Sequence, residues 1–190
     1  TGEQAEEIRQ IIDIAQRQAN GQLKLGEVFP SDRAPILIAN QDKVVVRTAI
    51  WGFPGLHGKG LLINARSETA EERPTFREPL LTSRCVVPTT GFYEWNQKKE
   101  KFLFQYENST VVYLAGLYEM VEGKRRYTIL TTHPNQAVAA VHNRMPVLLS
   151  HAQVRPWLMD TATALKLLHR EQPELVGKLQ DGGLPTPVVQ

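Results

Sequence analysis

The sequence predicts an α+β fold, a single compact domain with a β-rich core and flanking helices. Three observations predict it. Apolar residues recur at helical spacing at the start of the chain and again near its end. Between them lie short runs of β-branched and aromatic residues separated by polar turns. The two kinds of segment do not alternate, as parallel βαβ units would require.

Ile8, Ile11, Ile12 and Ala15 share one face and predict a helix over residues 3–18. Glu3, Glu6 and Glu7 fall in its first turn and Arg17 in its last, as the helix dipole favours, and Asn20-Gly21 ends it. Pro30-Ser31-Asp32 predicts a turn into a strand at 34–39, and Gln41-Asp42 a hairpin turn into a second strand at 44–51. A glycine-dense loop covers 52–60, followed by Leu61-Leu62-Ile63 and a polar stretch reaching Pro74. Further strands are predicted at 84–88, 92–95, 102–106, 111–118 and 126–131, and closing helices at 135–142 and 162–169. The domain is expected over residues 1–180, with 181–190, punctuated by glycine and proline, as an extended C-terminal tail.

Composition excludes several classes. At 42% hydrophobic and 22% charged residues the chain has the balance of an ordinary globular domain. No apolar run has the length to span a bilayer, so no membrane role is expected. A single cysteine, Cys85, excludes a disulfide framework and a zinc ribbon, and fits a cytoplasmic protein without a metal or other cofactor. The net charge of +2 does not announce a nucleic-acid partner, because phosphate binding depends on local clustering rather than on the total.

Several polar residues sit where a plain strand would be apolar. Glu94 lies between aromatics in Gly91-Phe92-Tyr93-Glu94-Trp95. Periodicity alone makes it a surface carboxylate; held among aromatics, its raised pKa would suit a general acid or base. Trp95 is a core residue on the same plain reading. In Asn64-Ala65-Arg66-Ser67-Glu68-Thr69, Asn64 is a helix cap and Glu68 solvated, or Asn64 orients a reacting group while Arg66 meets a phosphate. In His142-Asn143-Arg144-Met145-Pro146, His142 suits a helix C-terminus or a proton transfer, and Arg144 could hold a phosphate. Cys85 reads as a buried hydrophobe, and His57, His133, His151 and His169 as surface residues.

Taken in order, Trp51-Gly52, Asn64 to Thr69, Arg84 to Pro88, Gly91 to Trp95 and His142 to Pro146 resemble the motifs of the SRAP family, the SOS response-associated peptidases or abasic-site processing proteins. The resemblance spans roughly residues 28–150, and its specificity lies in the ordered set. It implies a barrel-like core, a groove for single-stranded DNA containing abasic sites, no cofactor, a monomer, and a place in the cytoplasm or on a bacterial nucleoid. It also implies that an N-terminal cysteine, freed by removal of the initiator methionine, condenses with the abasic-site aldehyde to a thiazolidine. By motif, Asn64 would orient the cysteine amine, Glu94 act as general acid and base, and His142 shuttle protons. Arg66 and Arg144 would hold phosphates, and Trp95 would stack near the lesion. The family opens with Met-Cys-Gly-Arg, whereas Thr1-Gly2-Glu3 stand first here, so an upstream Met-Cys is expected. Two other readings remain: a single-stranded DNA binder that makes no crosslink, and a peptidase acting on other proteins.

Overall fold

The computed structural model describes residues 2–20, 23 and 25–180; the predicted tail at 181–190 lies outside them. Helix α1 (Gly2–Gln18) leads into the hairpin β1 (Arg33–Asn40) and β2 (Lys43–Trp51). Next come β3 (Phe53–Pro54), β4 (Leu61–Leu62), β5 (Asn64–Arg66), α2 (Ser67–Ala70) and α3 (Pro74–Thr82). Strands β6 (Arg84–Thr89), β7 (Phe92–Trp95), β8 (Lys101–Gln105), β9 (Val112–Val121) and β10 (Lys124–Thr132) follow. The chain ends its described part with α4 (Gln136–Ala139), β11 (Met145–Pro146), β12 (Leu148–Leu149), α5 (His151–Met159), α6 (Thr161–Leu168) and β13 (Val176–Leu179).

Five strands close on themselves in the order β10-β2-β1-β6-β9, with β9 and β10 pairing again to complete the ring. All of these pairings are antiparallel except β2 with β10, which touch only where Arg126 faces Ile50 and Tyr127 faces Trp51. Alternation along the strands separates two apolar clusters. Ile36, Ala49, Cys85, Leu114 and Tyr127 share one, whereas Leu37, Val86, Ala115 and Leu130 pack in the other with Trp157, Leu158 and Leu168 of α5 and α6. Strand crossing at β9 requires Gly116: a Cβ there would stand 2.8 Å from the Thr128 carbonyl oxygen and 3.0 Å from Cys85 Sγ. A separate ribbon, β13-β8-β7, adds Phe92 and Phe104, whose rings stack 5.4 Å apart, to the first cluster.

One buried cation ties helices to the barrel. Arg84, at the start of β6, donates from Nε to the Trp157 carbonyl at 2.6 Å and from Nη1 to those of Leu80 and Leu81 at 2.8 and 3.0 Å. These carbonyls belong to the last turns of α5 and α3, which have no intrahelical donors left. The positive charge also suits the negative ends of both helix dipoles. In return, Trp157 Nε1 donates to the Cys85 carbonyl at 2.9 Å, locking α5 against β6.

The predicted first helix, hairpin and five later strands are present, with ends within two residues except that β9 runs three residues past its expected end, and the core is a closed barrel. Four elements depart from expectation. Helices α3 and α5 contain Pro79 and Pro156, which read as breakers, yet each sits in a nine-residue helix packed on the barrel. Strand β13 had no sequence signal and exists because β8 offers an edge to it. The helix predicted at 135–142 is a single turn, capped by the Asn135 side chain accepting from Val138 N–H.

Replacing Arg84 by methionine keeps most of the volume and leaves several buried carbonyls unpaired. Unfolding free energy should fall by about 3 kcal/mol. Urea denaturation would read this as a lower midpoint at constant slope; an unmoved midpoint would show that the helix ends are satisfied without Arg84.

Candidate active site

Strand β5 owes its position to a free edge. Past Tyr127, β10 no longer pairs with β2, and β5 takes that edge in parallel, with Ile129 facing Asn64 and Thr131 facing Arg66. Ala65 is buried between them, so the strand's alternation turns Asn64 and Arg66 to the other, exposed side. The same stretch of β10 pairs with β11, Thr131 facing Pro146, which brings the 142–144 turn alongside. The ribbon strand β7 supplies Glu94 and Trp95.

A cavity of about 840 Å³ joins these elements. Asn64, Glu94, Trp95 and His142 all line it, together with Thr131 and Ile11 of α1. The structure therefore brings the three predicted catalytic residues and one of the predicted DNA-binding residues to a single concavity, although they are spread over 79 positions of sequence, from 64 to 142 counted inclusively. Stacked Trp51 and Tyr127 form part of the wall, and Trp51 Nε1 donates to the Ile63 carbonyl at 3.0 Å, holding the approach to Asn64.

Glu94 and His142 are an acid–base pair. Glu94 Oε2 lies 3.5 Å from His142 Nδ1. Burial pushes the Glu94 carboxyl up to about 7, and the neighbouring imidazole opposes the rise. The His142 ring is held by the main chain of Arg144, whose N–H is 3.2 Å and whose carbonyl oxygen is 3.1 Å from Nδ1. Nδ1 can accept from the first or donate to the second, so both protonation states find a partner. The imidazole is 38% exposed and the carboxyl 23%, so the ring is the more open of the two to water.

Arg144 is committed elsewhere than expected. Its guanidinium closes bidentately on Glu68 of α2, at 2.6 and 2.8 Å, and donates further to the Thr131 carbonyl at 2.8 Å. The hydrogen bond from Arg144 holds the Glu68 carboxyl down at about 2. His133 Nε2 stands 3.2 Å from the same carboxylate. Glu68 is thus a missed member of the site. Nothing local in sequence could have paired it with an arginine 76 positions away. Arg66 is exposed beside Asn64. Trp95 is half-buried, and among the described residues its Nε1 has no hydrogen-bond partner. Lys101, opposite Trp95 on β8, lies 3.9 Å over the Tyr93 ring and pairs with Glu27, adding a cation to this wall. Cys85 is wholly buried, and burial raises its thiol pKa strongly.

Fold and site together define a five-stranded barrel protein with a carboxyl–imidazole pair and an amide at one internal cavity. Residues 1–179 match the family described as SOS response associated peptidase (SRAP), and the chain belongs to it. The abasic site processing protein YoaM of Bacillus subtilis is 40% identical over 112 residues, covering 54% of this chain and 49% of the relative. YedK of Escherichia coli, also an abasic site processing protein, is 26% identical over 139 residues, covering 69% and 63%. The rat abasic site processing protein HMCES is 30% identical over 146 residues, covering 56% and 41%. The chain spans about half the length of the curated relatives it matches. Crystal structures of proteins from Bordetella bronchiseptica and Bacteroides thetaiotaomicron share the fold. The first has a TM-score of 0.72 at 21% identity, covering 87% of this chain and 95% of that one. The second has 0.66 at 24%, covering 78% and 74%. No helix among the described residues is long and apolar enough to cross a membrane.

The Glu94 pKa sets a pH dependence of stability. Its carboxyl lies near 7 when folded, against an ordinary 4.5, so the folded state holds the extra proton between those values. Stability therefore falls as pH rises through that window. Glu94→Gln removes the loss, and should be more stable than the parent by about 2 kcal/mol at pH ~8 and equal to it at pH ~4. Parallel denaturation curves for both proteins at the two pH values would refute the assignment.

Proposed function

We propose that this protein processes abasic sites, binding single-stranded DNA and trapping the lesion's ring-opened aldehyde as a thiazolidine on an N-terminal cysteine. The observation that carries the proposal is the Glu94–His142 pair sharing a cavity with Asn64. The names of the relatives, abasic site processing proteins, point the same way. Thiazolidine formation needs an α-amine and a thiol on one residue. Cys85 cannot supply them, its nitrogen lying in a peptide bond and its thiol in the core. The reacting residue is taken to be the N-terminal cysteine that the family resemblance implies, freed by removal of a leading methionine.

The chemistry follows from the groups at the cavity. The amine, oriented by the Asn64 amide, adds to the aldehyde carbon and gives a carbinolamine. Protonated Glu94 donates to the departing hydroxyl, which leaves as water and yields the Schiff base. The Schiff base forms as its iminium, keeping the N–H. The resulting carboxylate takes the thiol proton as sulfur adds to the iminium carbon, and the C=N electron pair passes to nitrogen, leaving the neutral ring amine and a protonated Glu94. His142 returns the proton balance to solvent, and the same relay run backwards reopens the ring. A carboxyl titrating near 7 suits both directions, since it gives and takes a proton at comparable cost. Arg66, exposed next to Asn64, is assigned to a flanking phosphate, and Trp95 to a base or sugar beside the lesion. A phosphate role for Arg144 would compete with its fork to Glu68.

Intact-mass analysis of the full-length protein, beginning Met-Cys, after incubation with an abasic single-stranded oligonucleotide should show one covalent adduct and loss of the methionine. A salt-sensitive gel shift without adduct would favour a binder that makes no crosslink. Glu94→Gln should slow adduct formation by about 10²–10⁴-fold and flatten its pH profile around neutrality. Arg66→Ala should weaken binding of all strands alike and reduce the slope of log affinity against log salt by about 0.7; an unchanged slope would remove Arg66 from the phosphate path.

A further inference from the structure

We propose that Glu68 is a positioning residue for the proton relay: by clamping Arg144, it fixes the turn that aims His142 Nδ1 at Glu94. The inference rests on the abasic-site reading for its kinetic consequences, but its structural content stands on contacts alone. Three observations carry it. First, Arg144 is held at several points, by both Glu68 oxygens and by the carbonyl and hydroxyl of Thr131, at 3.2 Å for the last. A fork so engaged presents a fixed guanidinium rather than a searching one. Second, the main chain of the same Arg144 brackets His142 Nδ1 on both its donor and acceptor sides. Any rotation of the 142–144 turn therefore changes the tautomer and the aim of the imidazole together. Third, Glu68 is the second residue of the helical turn that starts directly after β5, so the strand that places Asn64 and Arg66 also places the clamp. Asn64, Glu68, Arg144 and His142 form one mechanical unit built on the end of β10.

Residues that orient a proton-transferring histidine through a second layer act on rate more than on ligand affinity. Among the described residues, Glu94 from β7 and the Arg144 main chain contact the His142 ring, and Lys98 lines a second concavity with His142; Glu68 and His133 stand behind Arg144. Loss of Glu68 leaves Arg144 with only its Thr131 contacts. The turn is then free to rotate away from Glu94 by the ångström or so that proton transfer does not tolerate. Removing one carboxylate beside Arg66 would, by contrast, leave or improve the attraction for phosphate.

The test compares the full-length parent with Glu68→Ala and Glu68→Gln, the second retaining one acceptor oxygen and the side-chain volume. Adduct formation on abasic single-stranded DNA, measured at saturating DNA across pH ~5–9, should slow by about 10–100-fold in Glu68→Ala, less in Glu68→Gln, with the profile displaced. Affinity for an undamaged strand of the same length should hold or rise. A rate and profile equal to the parent's in both variants would overturn the inference, as would a change confined to affinity. Nitrogen-15 NMR of the His142 imidazole in DNA-free protein keeps the two proposals separable. If the parent makes no adduct, the functional reading fails. The positioning role then stands or falls on whether the His142 tautomer signals shift in the Glu68 variants.

Discussion

The free edge of β10 is the constraint on which the site depends. That strand pairs along one side with β9 and along the other with β2, but β2 leaves it after two residues. A sheet edge with unpaired N–H and carbonyl groups inside a folded domain demands a new partner. Strand β5 takes the next three positions on that edge, and β11 pairs antiparallel with Thr131 and Thr132 on the opposite edge, beyond the last contact with β9. Two segments some eighty residues apart in sequence, each too short to be stable alone, are thereby laid beside the same strand end. Asn64 and His142 meet for that reason, and the β7–β8 ribbon brings Glu94 to them.

The two glutamates of the site show how the surrounding medium divides labour between identical side chains. Glu94 is largely buried with an imidazole as its charged neighbour, and desolvation dominates, so its proton is held until near neutrality. Glu68 accepts a bidentate charge-assisted pair, and hydrogen bonding dominates, so it stays ionised under all ordinary conditions. One is fit to move a proton and the other to hold a shape. Arg84 repeats the holding role on the far side of the barrel wall, where the acceptors are helix-end carbonyls instead of a carboxylate. In both places a guanidinium joins elements that the hydrophobic clusters alone would leave free to slide.

Much of the fold was legible in sequence because its strands alternate and its first helix is amphipathic. Ile8, Ile11 and Ala15 needed no tertiary context to mark a buried face, nor did the β-branched run at 44–51 to mark a strand. The proline-bearing helices were harder. The Ser150-x-x-Gln153 pattern, whose glutamine side chain accepts from the Ser150 N–H at 2.9 Å, is a capping signal that outweighs Pro156 when read as a start. Nothing comparable announced α3 or β13. At the site, Asn64, Glu94 and His142 could be named from ordered motifs, and they do share one cavity. Glu68 and Thr131 could not, because their importance lies wholly in what Arg144 touches.

Sequence by itself determined the local choices, and with them the family: which segments extend, which coil, which carboxylate sits among aromatics, and which histidine precedes an Asn-Arg turn. Those depend on side-chain chemistry and on neighbours a few residues away. Tertiary structure alone decided that the ring closes, that Arg144 spends its fork on a carboxylate, and that Glu94 Oε2 lies 3.5 Å from the His142 imidazole. Each of these is a relation between distant segments. The burial and short distances that set a pKa or close an ion pair exist only once the barrel has excluded water and brought the strand ends together.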